Sequence, residues 1–66
     1  RGDLAGAVLR IDGLLTAGVG QRAEAILRIE RARLQERLGD RVAACAGLAG
    51  LRGDDARDAR QHLSCP

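Results

Sequence analysis

The residues of this chain with the widest chemical reach are two cysteines and its single histidine: Cys45, His62 and Cys65. Thiolate and imidazole are soft ligands. His62-x-x-Cys65, with Cys45 as a third donor, could build a trigonal site or part of a zinc site. The set lacks a fourth ligand, however, and neither cysteine has another close by in sequence, as zinc sites usually do. The expectation is therefore no metal, with Cys45 filling space as a small apolar residue and His62 and Cys65 on a loose tail. A Cys45–Cys65 disulfide is the intermediate case, and its loop of about 20 residues would stabilise by roughly 3 kcal/mol if geometry allows.

For catalysis the inventory is thin. There is no Lys or Tyr, and Thr16 and Ser64 are the only hydroxyls. Nothing pairs a nucleophile with a base, and no Gly-rich phosphate loop follows a strand. The adjacent carboxylates Asp54 and Asp55 are better used as helix caps than as an acid–base pair. Arg-Gly-Asp, an adhesion tripeptide when displayed on a loop, occurs at Arg1–Asp3 and Arg52–Asp54. Both copies are explained as helix corners. The chain is expected to be no enzyme and to need no cofactor.

Charge narrows the partners. Eleven basic residues, all Arg, face nine acidic ones, for a net charge of +2. Arg28, Arg31, Arg33, Arg37 and Arg41 lie close together, but Glu24, Glu30, Glu36 and Asp40 are interleaved with them. Pairs three or four apart, such as Glu24–Arg28, mark a solvated, salt-bridged helix face, whereas a nucleic-acid surface clusters its cations. No apolar run reaches the ~20 residues of a membrane span, and no secretory signal pattern is present. A soluble, cytoplasmic protein is expected. Its Arg-only basicity with much Ala and Gly fits a GC-rich, bacterial genome.

These side chains must be positioned by helices. Ala, Leu, Arg, Gln and Glu dominate, all strong helix formers, and no segment alternates apolar with polar residues over strand length. Gly-Asp recurs at Gly2-Asp3, Gly39-Asp40 and Gly53-Asp54. Gly suits the left-handed position past a helix end, and Asp accepts bonds from the free amides opening the next helix. With a further stop at 18–20, the pattern predicts helices over about 4–17, 21–38, 41–51 and 55–63. An unbroken 21–51 rod is the alternative, because the stripe Leu27, Leu34, Leu38 continues in phase through Val42, Cys45 and Ala49. The cap residues favour the break.

The first helix puts Leu4, Val8, Ile11 and Leu15 on one stripe. Ile26 and Ile29 fall off the stripe of the second and would be exposed on an isolated hairpin, which widens a contact face. With 66 residues and no aromatic or Met, the core is poor in large side chains. A chain this size buries only about 60% of its unfolded surface. The expected fold is an all-α, three- to four-helix bundle or solenoid-like piece over residues 1–66, completed by a partner or a second copy. The start at Arg1 without Met reads as a fragment or a processed chain.

Three resemblances bear on function. In the first, Ala7 and Ile11 follow Asp3 at the same spacings as Ala44 and Leu48 follow Asp40. A small then a large apolar residue on a helix opened by Gly-Asp resembles tetratricopeptide-like repeats, which implies a hairpin solenoid binding peptides or partner domains. However, 37 residues separate Asp3 from Asp40 where that family uses about 34, and its aromatics are absent. At the third corner, Asp58 and His62 occupy the matching positions. In the second, "VLRIDGLLTAGVGQRAEAIL" followed by "ERARLQERLGDRV" and "HLSCP" resembles the back half of MerR-type transcription regulators. That implies a dimerisation helix and a metal-sensing loop, without the loop's second Cys or the upstream DNA-reading half. In the third, the pattern resembles the helical docking tails of modular polyketide synthases. The common element is a helical protein–protein interaction module, for dimerisation or docking, with Ile26, Leu27, Ile29, Leu34, Leu38 and Val42 as its interface.

Overall fold

In the computed structural model, which describes residues 2–66, the Asp of each of the first two Gly-Asp corners caps the helix that follows it. Arg1, the first residue of the Arg1–Asp3 tripeptide, lies outside the described residues. Four helices form: α1 (Leu4–Ala17), α2 (Gln21–Arg37), α3 (Arg41–Leu48) and α4 (Asp54–His62), with no strand among the described residues. Asp3 opens α1 by accepting the Gly6 N–H at 2.8 Å, and Asp40 opens α3 by accepting the Ala43 N–H at 3.1 Å. Each bond satisfies an amide that the helix leaves free.

The break between α2 and α3 is a complete Schellman stop. Gly39 takes φ 87°, its N–H donates to Glu36 O at 2.9 Å, and the Asp40 N–H donates to Gln35 O at 2.8 Å. Asp40 thus closes one helix with its amide and opens the next with its carboxylate, so the rod is excluded. The same motif ends α4, where Ser64 N–H donates to Gln61 O and Cys65 N–H to Arg60 O. Here the left-handed residue is not glycine but Ser64, at φ 57°.

The third corner departs from the pattern. Gly53 is itself the N-cap of α4, at φ 104°, and no side chain caps the helix. Asp54 and Asp55 fall inside the first turn, where they act on the helix dipole instead of as caps. α3 also stops at Leu48, three residues earlier than the composition implies, because Ala49 is extended and Gly50 turns left-handed.

Central to the fold is α2, which packs against all three other helices, whereas α1 touches α2 alone. The Cα trace measures 28 × 26 × 17 Å. A helix is about 10 Å across, so there is no room for a third layer and most helices keep a face in water. The buried residues are Ile11, Ala32, Ala44, Leu48, Ala56, Ala59 and Leu63, four of them alanine. Alanine lets backbones approach closely but contributes little apolar area. Leu48, fully buried, is the pivot of a cluster with Ala32, Ala44, Ala59 and Leu63. Its truncation to Ala would cost about 2–5 kcal/mol.

Two expectations need correction here. Ile29, which an isolated hairpin would expose, is partly buried against this cluster, to which Ala59 of α4 and its C-cap Leu63 belong. The tail is not loose: Leu63 is buried, and Cys65 is bonded to Cys45 across a separation of 20 residues.

The two Schellman stops make opposite predictions. Gly39→Ala forces a Cβ into the left-handed region and should lower stability by about 1 kcal/mol, whereas Ser64→Gly relieves that cost and should raise it by up to about 1 kcal/mol. Urea denaturation of both variants checks this. Equal shifts of the same sign would contradict the assigned C-terminal geometry.

Candidate functional site

The apolar stripes of α1 and α2 each carry one charge in the middle. On α1, Asp12 lies between Val8 and Leu15; on α2, Arg31 lies between Leu27 and Leu34. The spacing of four and three residues keeps each charge on its stripe. The two meet: Arg31 Nη1 donates to Asp12 Oδ1 at 2.6 Å, with the Arg31 side chain 20% exposed and that of Asp12 43%. The other end of the guanidinium reaches toward α3. A Cβ at Gly47 would lie 3.3 Å from Arg31 Nη2, so glycine there makes room for the cation. Arg31 therefore spans α1, α2 and the flank of α3. Along the same helix, Arg28 Nε, Arg31 Nε and Gln35 Oε1 are buried without a hydrogen-bond partner in the chain. Part-satisfied polar groups of this kind each carry a desolvation cost that packing must offset.

The six interface residues expected from sequence are divided by this arrangement. Val42 is 83% exposed, and Ile26 and Leu38 are also exposed. Leu38 and Val42 bracket the α2–α3 corner, four residues apart. Leu27, Ile29 and Leu34 are half-buried, and Ile29 packs against the core cluster. The stripe does not continue inward through α3: Ala44 and Leu48 form its buried face, leaving Val42 and Ala49 in water. Sequence reasoning missed Leu9 and Leu14, both exposed on α1. Their signal was available, since both are large apolar residues lying off the Leu4–Val8–Ile11–Leu15 stripe.

The three soft ligands separate as well. Cys45 and Cys65 are joined, so neither offers a thiolate, and His62 is exposed on α4 beside a groove that also meets Arg33, Arg37 and Asp58. Among the described residues no group of three His, Cys, Asp or Glu side chains is arranged to hold a metal ion. The disulfide lines a second, open groove of about 500 Å³ with Arg41, Val42, Arg60 and Ser64. Arg60 completes the end of α3: its Nη1 donates to Leu48 O at 3.1 Å and Leu51 O at 2.8 Å. Leu48 O also accepts the Leu51 N–H at 3.2 Å, so Arg60 ties α4 both to the last carbonyl of α3 and to the turn that follows it. Among the described residues no helix is long and apolar enough to cross a membrane.

If Arg31–Asp12 is a part-buried pair that sets how α1 seats, breaking it costs more than removing it. Asp12→Ala leaves a mostly buried guanidinium unpaired and should cost about 1–2 kcal/mol. Adding Arg31→Met, which keeps the aliphatic stem, should restore part of that loss. A double-mutant cycle by urea denaturation reads the coupling, and strictly additive losses would exclude it. Compared with known proteins, the chain matches no family model, no curated protein and no solved structure.

Proposed function

We propose that this chain is a helical protein–protein interaction module that self-associates through its uncovered apolar residues. One observation carries the reading. The exposed surface is 4665 Å², whereas a folded monomer of 7.0 kDa exposes about 4,000 Å². The excess, roughly 600 Å², approaches the ~800 Å² that each partner contributes to a standard interface. Leu9, Leu14, Ile26, Leu38 and Val42 supply large apolar groups to it. Burying one such side chain contributes about 1.5–3 kcal/mol.

The proposed contact centres on Leu38 and Val42, with Ile26 from the same helix as Leu38. A second copy is the simplest occupant, because a symmetric dimer uses one patch twice. The reading assigns the chain no catalytic step, no cofactor, and no nucleic-acid partner. The regulator-half alternative has less support, since its sensing loop would need a thiol that Cys65 has spent on Cys45. The repeat alternative gains from the burial of Ile11, Ala44 and Leu48 in matching positions, but its third corner carries exposed Asp58 and His62. The cytoplasmic location expected from sequence remains part of the proposal. It would make the disulfide a transient or sensing bond, because cytosolic thiol pools reduce persistent ones.

Sedimentation over a wide concentration range should show a mass that rises toward the dimer. Val42→Asp should abolish the rise while leaving helicity intact, because residue 42 bears little on folding. Leu34→Asp should instead unfold the chain, since it places a carboxylate on a half-buried stripe. A wild-type chain that stays monomeric at every concentration ends the self-association reading.

A further inference from the structure

We propose that the Cys45–Cys65 bond is a thiol-exchange site: a small anionic thiol cleaves it, and α4 then leaves the face formed by Ala32, Ala44 and Leu48. The inference stands on the disulfide and on how α4 is attached, and does not depend on the dimer.

The attachment of α4 is thin apart from the bond. Its buried residues are Ala56, Ala59 and Leu63, so one large side chain does most of the apolar work. Its polar tie is a single guanidinium nitrogen, Nη1 of Arg60, shared between two carbonyls of the α3 end. Against this stands the ordering of a nine-residue helix and the five-residue link before it. The disulfide keeps α4 at high local concentration over its site, and that constraint disappears on reduction. α1 is not involved, since it contacts only α2.

The groove is also built for attack. Both cysteines are partly exposed, and the open groove brings Arg41 and Arg60 to them. Arg41 precedes Cys45 by four residues on α3, which puts both on one face. Its guanidinium attracts an anionic thiol and favours a thiolate leaving from Cys45. The exchange balances as follows. A thiolate attacks Cys65 Sγ, the S–S bond breaks, and Cys45 departs with the electron pair as a thiolate, later protonated by water. A second thiolate attacks the outer sulfur of the mixed disulfide and releases Cys65. Two small thiols are oxidised to one disulfide, and the Cys45–Cys65 pair is reduced to two thiols. The uncovered face includes Leu48, the most buried large side chain of the molecule.

The test uses the full chain and glutathione, followed by alkylation mass spectrometry and hydrogen exchange resolved by helix. Glutathione should open the bond, after which α4 amides lose protection by about tenfold or more while those of α1 and α2 change by less than about twofold. Arg41→Gln should slow the reaction with glutathione severalfold and that with uncharged 2-mercaptoethanol much less. The Cys45→Ala/Cys65→Ala variant should reproduce the exchange pattern of the reduced chain. The proposal is overturned by a bond that resists millimolar glutathione, or by an α4 that stays protected after reduction. It is equally overturned by simultaneous loss of protection in all four helices, which would make the bond a staple of the whole fold. Equal slowing of both thiols by Arg41→Gln removes the groove as the attack site.

Discussion

A chain with no aromatic residue and no methionine must build its interior from small side chains, and here the Cys45–Cys65 bond is the constraint that keeps α4 over that interior. It closes α4 onto α3 and α2 around Leu48, among the described residues the only large side chain sealed completely from water. Fully burying one leucine is worth about 2 kcal/mol, which cannot by itself order a further helix. A covalent closure of about 20 residues contributes roughly 3 kcal/mol by restricting the unfolded chain. The small side chains then become an advantage, because Ala32, Ala44 and Ala59 let three helices converge where larger residues would hold them apart.

The other half of the molecule is held on different terms. α1 has Ile11 as its one buried residue and a charged pair, Asp12–Arg31, set within otherwise apolar stripes. Such a pair adds less stability than hydrophobic packing would, because desolvation offsets much of its attraction. What it adds is registry: only one seating of α1 brings the two charges together. The molecule thus combines α3 and α4, linked covalently and packed on α2, with a helix α1 that packs on α2 alone through Ile11 and a polar tie.

This asymmetry bears on the proposed self-association. A 17 Å thickness leaves helix faces with nothing over them, and the large apolar groups at the α2–α3 corner lie on the stapled part of the molecule. A surface presented by a rigid element loses less entropy on association than one on a mobile segment, and so binds more tightly for the same contact. The disulfide groove, flanked by Arg41 and Arg60, shares Val42 with that corner, which places the disulfide next to the exposed apolar residues there.

Much of the fold was legible because it is local. Gly39 with Asp40 can only be a stop followed by a start, since one residue tolerates left-handed backbone and the other carries an acceptor for free amides. Ala, Leu and Arg composition determined the helical class, and the i, i+4 pattern of α1 correctly put Ile11 inward. The exceptions at the ends are also local but weak: Ser64 adopts a left-handed conformation that its type disfavours, because Leu63 and Cys65 are anchored on either side. What the tertiary structure alone decided is which face of each helix is the inside. By size, α2 should bury Leu27, Leu34 and Leu38; in fact Ala32 is its one fully buried residue and Leu38 stays in water. By phase, α3 should bury Val42, yet it buries Ala44 and Leu48. The reason is that the bond between Cys45 and Cys65 and the pairing of Arg31 with Asp12 link residues distant in sequence, and both select the helix rotation that satisfies them. Periodicity finds a stripe, but it carries no information on which neighbour will cover it.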